Sequence, residues 1–246
     1  MNKRYGLKEV ANVIFFDIST GKPSLFFDTL KVSSISNESD SAEANGGQGN
    51  NRLMTWDYGR KATLAMQDAL LSDQSLAMLA GTTAKTTGIT ATGRDVLTIE
   101  NGSVTLKQEP KAGRPVTFYG YSNGVLTEEA TATVDGTDPQ LFDVVVSNGE
   151  TEVMAFYEYD APADSVQITF SGKQFPATYR VVGETVVKGE DGLFRKMQFV
   201  IAKAKLQSSF ELAMDAENVS TFDFNLDILT DTSTEEFKLY DIIRLG

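Results

Sequence analysis

The stretch FELAMDAENVSTFDFNLDI, residues 210–228, decides how the chain is read. Phe210, Leu212, Met214 and Ala216 alternate with Glu211, Ala213 and Asp215. Beyond Glu217-Asn218-Val219-Ser220, Phe222, Phe224, Leu226 and Ile228 alternate with Thr221, Asp223, Asn225 and Asp227. Strand side chains point alternately to opposite faces of a sheet, so this period of two predicts an antiparallel hairpin turning at 217–220, with one dry face and one wet face. The wet face is acidic. Like charges set opposite each other across a ladder are destabilising, so that face needs water against it.

Working outward, Val13–Ile18 and Leu25–Leu30 are β-branched and aromatic runs around Ser19-Thr20-Gly21-Lys22-Pro23-Ser24, a predicted hairpin apolar on both faces and needing cover on both. Residues 37–51 (NESDSAEANGGQGNN) have almost no apolar content and read as a long mobile loop. Leu53–Tyr58 reads as a strand, whereas Ala62–Leu71 carries both helix formers and period-two positions. Asp73–Ala80 reads as a short helix with Ser72 or Asp73 as N-cap and Gly81 as its stop. Short strands then follow at Val96–Glu100, Val104–Gln108, Val116–Tyr121, Phe142–Val146 and Glu152–Tyr159, and again at Val166–Phe170, Tyr179–Val187 and Arg195–Lys203. The expectation is a mainly β protein: a β-sandwich or barrel from 1–96 and 161–246, with one short flanking helix and a small β subdomain inserted at 97–160.

Composition narrows the function. The 246 residues contain neither cysteine nor histidine, which removes disulfides, the usual zinc ligands, and the Ser-His and Cys-His nucleophile pairs. A formal charge of −12, from 34 acidic and 22 basic residues, argues against gripping nucleic acid by phosphate neutralisation. No apolar h-region follows Asn2-Lys3-Arg4-Tyr5 and no apolar run reaches bilayer-spanning length, so the expectation is a protein made and folded in a cytoplasm, without a membrane partner.

The short motifs fail on context. Gly81-Thr82-Thr83-Ala84-Lys85-Thr86 has alanine where a phosphate loop needs glycine, and it follows a helix instead of leading into one. Gly46-Gly47-Gln48-Gly49 lacks the third glycine and the preceding strand of a dinucleotide fingerprint. Asp223-x-Asn225-x-Asp227 opens like a calcium loop, but Ile228 stands where glycine is required. Ser19-Thr20-Gly21-Lys22 sits in a predicted turn without the companion elements of an acyl-enzyme site. Glu128-Glu129 and Glu235-Glu236 are adjacent in sequence and set no two carboxylates across a cleft. No catalytic residue, metal ligand or cofactor follows, and the expectation is a non-enzyme.

The N-terminal hydrophobic hairpin, the Gly-rich loop, the block LMTWDYGRKATLAMQDALLSDQSLAMLAG (53–81), Phe175–Gly183, Phe199–Leu206 and the acidic segment at Ser220–Asp223 together resemble the tail tube (major tail) proteins of tailed bacteriophages. That resemblance implies a structural virion protein whose subunits close into hexameric rings. The rings stack into a hollow cylinder of continuous β-sheet, with sheath, baseplate and terminator proteins as further partners. It further implies that Glu211, Asp215, Asp223, Asn225 and Asp227 face a lumen through which DNA passes without specific binding. The loop carrying Glu38, Asp40, Glu43, Asn45, Gly46, Gly47, Gln48 and Gly49 would meet the adjacent ring, and the 97–160 insertion would lie outside the tube. A tube-like baseplate or tail-completion protein, and a surface β-sandwich that binds a ligand, are the alternatives the residues leave open.

Overall fold

The computed structural model describes residues 4–216, 221–233 and 235–245. Strands make up 56% of the chain and helix 3%, and the sheets curl, so the fold is of the β-sandwich or barrel kind that the sequence predicts. The elements run β1 (Tyr5–Leu7), β2 (Asn12–Asp17), β3 (Pro23–Phe27), β4 (Leu30–Gly46), β5 (Asn51–Asp68), α1 (Asp73–Ala80), β6 (Thr90–Thr98), β7 (Ser103–Thr105) and β8 (Thr117–Ser122). They continue with β9 (Val125–Val134), β10 (Leu141–Val145), β11 (Glu152–Asp160), β12 (Thr178–Gly189), β13 (Phe194–Leu206), β14 (Phe222–Ile228) and β15 (Asp241–Arg244). The chain divides into two compact units, Met1–Ala84 with Ile168–Gly246, and Lys85–Gln167. Residues 85–96 thus fall in the second unit, because β6 begins at Thr90.

The first unit is one sheet in the order β3-β2-β12-β13-β14-β5-β4, all neighbours antiparallel. The β12–β13 hairpin is its spine. β2 occupies the far edge of β12 at Tyr179–Glu184 and β1 takes the same edge at Val187–Gly189. Likewise β14 pairs with β13 at Ala204–Leu206 and β15 pairs with it at Met197–Val200, so the sheet forks at both edges of its spine. Its dry face buries Val13, Phe15, Leu64, Val181, Ile201, Leu206, Phe224 and Leu226, and Met78 and Leu79 of α1 belong to the same core. The helix is closed at both ends by its sequence. Ser72 and Ser75 each accept the other's backbone N–H at 3.0 Å, and Gly81 takes the left-handed conformation (φ 66°) as its N–H donates to Met78 O at 3.1 Å.

Gly183 lies opposite Phe199, whose ring occupies the space a glycine side chain leaves: a Cβ at 183 would sit 2.0 Å from the ring. The second unit repeats the device. Its strands order as β6-β11-β8-β9-β10-β7 around Val104, Leu106, Phe118, Phe142, Val153 and Tyr157, and the ring of Tyr157 covers its ladder partner Gly93.

Three strand expectations are corrected. The predicted loop at 37–51 is instead a paired hairpin, β4 and β5 running together to a turn at 47–50. Cross-strand partners from the apolar and aromatic β5 hold residues of low strand propensity in the ladder. Residues 210–216, expected as the first arm of the acidic hairpin, form no strand; the turn expected at 217–220 lies outside the described residues. The edge of β14 that a preceding arm would take is held by β13 at Leu226–Ile228 and by the Gln207 N–H on the Asn225 carbonyl, while β5 holds the opposite edge along 222–228, so the expected pairing does not form. Phe210 instead stacks on Phe170 at 5.3 Å between centroids, and Met214 is exposed. Val166–Phe170 likewise contributes only an isolated bridge, Gln167 to Lys85.

Candidate functional site

β14 lies between β13 and β5, and its alternation sorts its side chains: Phe224 and Leu226 are buried, while Asp223, Asn225 and Asp227 take the opposite face. Register then settles the like-charge problem. Asp223 stands opposite Gln67, Asn225 opposite Ala65, and Asp227 opposite Thr63 on one side and Lys205 on the other. Gln67 Nε2 donates to Asp223 Oδ1 at 3.0 Å and Gln207 Nε2 to Asp227 Oδ1 at 2.8 Å. Four residues along a strand separate the two carboxylates by about 13 Å, beyond the screening length at physiological salt. The acid row is therefore tolerated by its neighbours as well as by water. Ladder pairing gathers Asp223, Asn225 and Asp227, but not Glu211 and Asp215, which lie in the 210–216 segment outside any strand. Toward β12 and β13 the surface becomes mixed. Lys196 Nζ meets Glu184 Oε1 at 2.6 Å, and this contact, with a hydrogen bond from Gln198, holds the Glu184 carboxyl below its usual range.

The β4–β5 hairpin supplies the second surface. Its inner half is ordinary sheet, with Ala62, Leu64, Met66 and Asp68 buried on one face. Beyond Lys61 every residue of β5 is exposed, so the hairpin continues as an arm standing clear of the core. Glu38, Asp40, Glu43, Asn45 and Gly46 line the β4 side of this arm, and Gly47, Gln48 and Gly49 form its tip with Asn50, whose N–H donates to Gly47 O at 3.1 Å. Positive φ at Gly47, Gly49 and Asn50 is what the turn requires. A register shift between Glu38 and Asp40, opposite Gly59 (φ 62°), marks where the arm leaves the body. Beyond it Met54 faces Ala44, Trp56 faces Ala42 and Tyr58 faces Asp40, placing one apolar stripe on one side of the arm. These three side chains are 54%, 53% and 58% exposed. A Glu43–Arg52 pair (3.0 Å) ties the strands near the tip and, being exposed, adds about 0–1 kcal/mol. Sequence reading placed the arm's β4 residues in a loop; Gly47-Gln48-Gly49-Asn50 between two runs of similar length was the available hairpin signal.

Among the described residues the buried carboxylates are Asp68 and Asp95, and both serve the fold. Asp68 accepts from Thr29 Oγ1 at 2.5 Å. Asp95 Oδ2 accepts from the Tyr157 hydroxyl at 2.7 Å and the Lys107 N–H at 3.0 Å, inside the second unit's core. Burial, reinforced by the Asp95 hydrogen bond, pushes the Tyr157 hydroxyl up to about 12. A phenol raised on folding contributes stability that is complete below pH 10 and is lost as pH climbs through 12. The unfolding free energy from denaturant titration should therefore fall more between pH 9 and pH 11.5 in the wild type than in Tyr157→Phe, by roughly 1–2 kcal/mol. Equal falls would show that Tyr157 ionises freely.

The family model of the YomU/Tube protein family matches residues 5–242, nearly the whole chain and both units. The chain belongs to that family. It is accordingly a structural protein of the phage tail tube, and a virion component. No curated protein matches it. Among the described residues of this tube protein, no helix is long and apolar enough to cross a membrane, and no group of three acidic side chains is placed to hold a metal ion.

Proposed function

We propose that copies of this tube protein, made in the host cytoplasm, close into hexameric rings that stack into the tail tube. In this reading Asp223, Asn225 and Asp227 line the bore, with Glu211 and Asp215 on the segment before them. The arm from Glu38 to Gly49 reaches the adjacent ring, and the second unit lies on the outside. The observation that carries the reading is the arm: a lone subunit has no use for a paired hairpin that holds Met54, Trp56 and Tyr58 in water, whereas a subunit with neighbours does. Sheath, baseplate and terminator proteins would contact the assembled tube.

DNA carries about one negative charge per 1.7 Å of axis, so a basic bore would hold it through counterion release. An acidic bore repels it and leaves it free to slide. Negative-stain microscopy of the purified protein should show rings or hollow tubes, and persistent single subunits at high concentration would defeat the reading. Tails carrying Asp223→Lys with Asp227→Lys should assemble and eject DNA several-fold more slowly, from the electrostatic retention a basic lining confers. Normal tails with unchanged ejection would place those residues away from the bore.

A further inference from the structure

The first unit carries, besides the projecting stripe, an apolar cleft of about 200 Å³ on its body, lined among others by Glu9, Ser34, Leu64, Met197, Phe199 and Ile242, where the fork of the sheet opens. A cavity of ~150 Å³ already accepts a benzene ring, so this cleft has room for one aromatic side chain. Its lining suits an indole in particular. The walls are mainly apolar, and the Glu9 carbonyl oxygen, which accepts from Thr185 Oγ1 at 2.9 Å, and Ser33 Oγ, which accepts from the Ala11 N–H at 3.1 Å, set oxygen acceptors among the lining for a group whose only polar atom is a donor.

We propose that Trp56 of one copy seats in this cleft of the next copy. The inference rests on the reading of the chain as a self-assembling tube protein. The arm cannot serve its own cleft. Leu64 in the cleft and Trp56 on the arm are eight residues apart on one strand whose pairing is interrupted only by the register shift at Gly59, about 25 Å at the rise of a β-strand. A projection and a recess at separate places on one chain join copies head to tail, and such a contact either closes into a ring or runs on as a filament; it does not stop at a symmetric dimer.

Trp56 is the chain's only tryptophan, so its emission reports the seat directly. In dispersed protein the emission should be that of a water-exposed indole, and it should shift to the blue as assembly proceeds. Trp56→Ala and Ile242→Glu both alter exposed positions and should leave the circular dichroism spectrum unchanged. Each should raise the concentration at half-assembly by at least ~30-fold, the effect of losing a buried aromatic anchor. Mixed together, the two variants retain one intact arm and one intact cleft between them, so sedimentation should show one-to-one heterodimers that grow no further. Wild-type tubes whose Trp56 emission stays water-like, variants that assemble as the wild type does, or a mixture that stays monomeric would each overturn the inference and leave the tube reading standing. Wild-type protein that never assembles would overturn both.

Discussion

Gly81→Ala should destabilise the first unit by ~3 kcal/mol or more, whereas Gly21→Ala in the same unit should cost only ~1–2 kcal/mol. Both glycines have nearly the same left-handed φ, 66° and 67°. An alanine at either position meets the intrinsic cost of that conformation. The surroundings differ. Nothing lies within 4 Å of a Cβ built at Gly21, whereas at Gly81 the Cβ would fall 2.3 Å from the Phe175 carbonyl oxygen and 2.4 Å from its carbon. Those are backbone atoms of the segment leading to Thr178, where β12 begins, so relief requires moving either the helix stop or the approach to the sheet's spine. The opposite end of the same helix is fixed by Ser72, and Met78 and Leu79 hold its body in the core, leaving little freedom to yield. Guanidinium titration followed by circular dichroism checks this, fitted as two transitions because two units are present. Equal midpoints for the two variants would show that the Phe175 contact is soft.

Helix α1 was legible because each of its signals is local: a serine at the cap, a run of helix formers, and a glycine immediately after. β14 was legible for a related reason, since Phe222-x-Phe224-x-Leu226-x-Ile228 states a dry face outright. The same rule failed at 210–216. Phe210, Leu212, Met214 and Ala216 alternate equally well, but the edges of β14 that they would have joined are held by β13 and β5, whose residues lie outside that window. β9 shows the converse failure. Its apolar alternation is short and made of small residues, Ala130-Thr131-Ala132-Thr133-Val134, with only Ala130 buried, and pairing with β8 and β10 makes the whole of it a strand. The arm was missed on similar grounds, because Glu38 to Gly46 takes its conformation from β5. The candidate channel residues divide along this line. Asp223, Asn225 and Asp227 share a face because their own strand forms, while joining Glu211 and Asp215 to them required a ladder that is absent.

The wet face of β14 is held in place by its dry face, and Phe224→Ala tests this. Phe224 is fully buried and meets Phe27 edge-on at 4.9 Å between centroids; Phe27 meets Phe15 at 5.4 Å and Phe15 meets Tyr179 at 5.7 Å. This row of rings crosses the core from β14 to β12 by way of β3 and β2. Truncating a buried phenylalanine costs ~3–5 kcal/mol, and the lost edge-on pair is part of that loss. Asp223→Ala, by contrast, removes one exposed hydrogen bond to Gln67 and should cost under about 1 kcal/mol. A double-mutant cycle of Phe224→Ala with Phe27→Leu should give a coupling energy of ~0.5–1.5 kcal/mol, because each change removes the same ring contact. The consequence reaches the proposed bore. Phe224 lies between Asp223 and Asn225, so a β14 that loses its anchor can slip or detach, and a slip of one residue would carry the carboxylates to the opposite face. At a temperature where Phe224→Ala is still folded, amide exchange at residues 222–228 should therefore quicken more than at Val181–Val187 in the spine. Uniform quickening across both strands would mean that β14 opens only with the whole unit, and that its register does not depend on this one side chain.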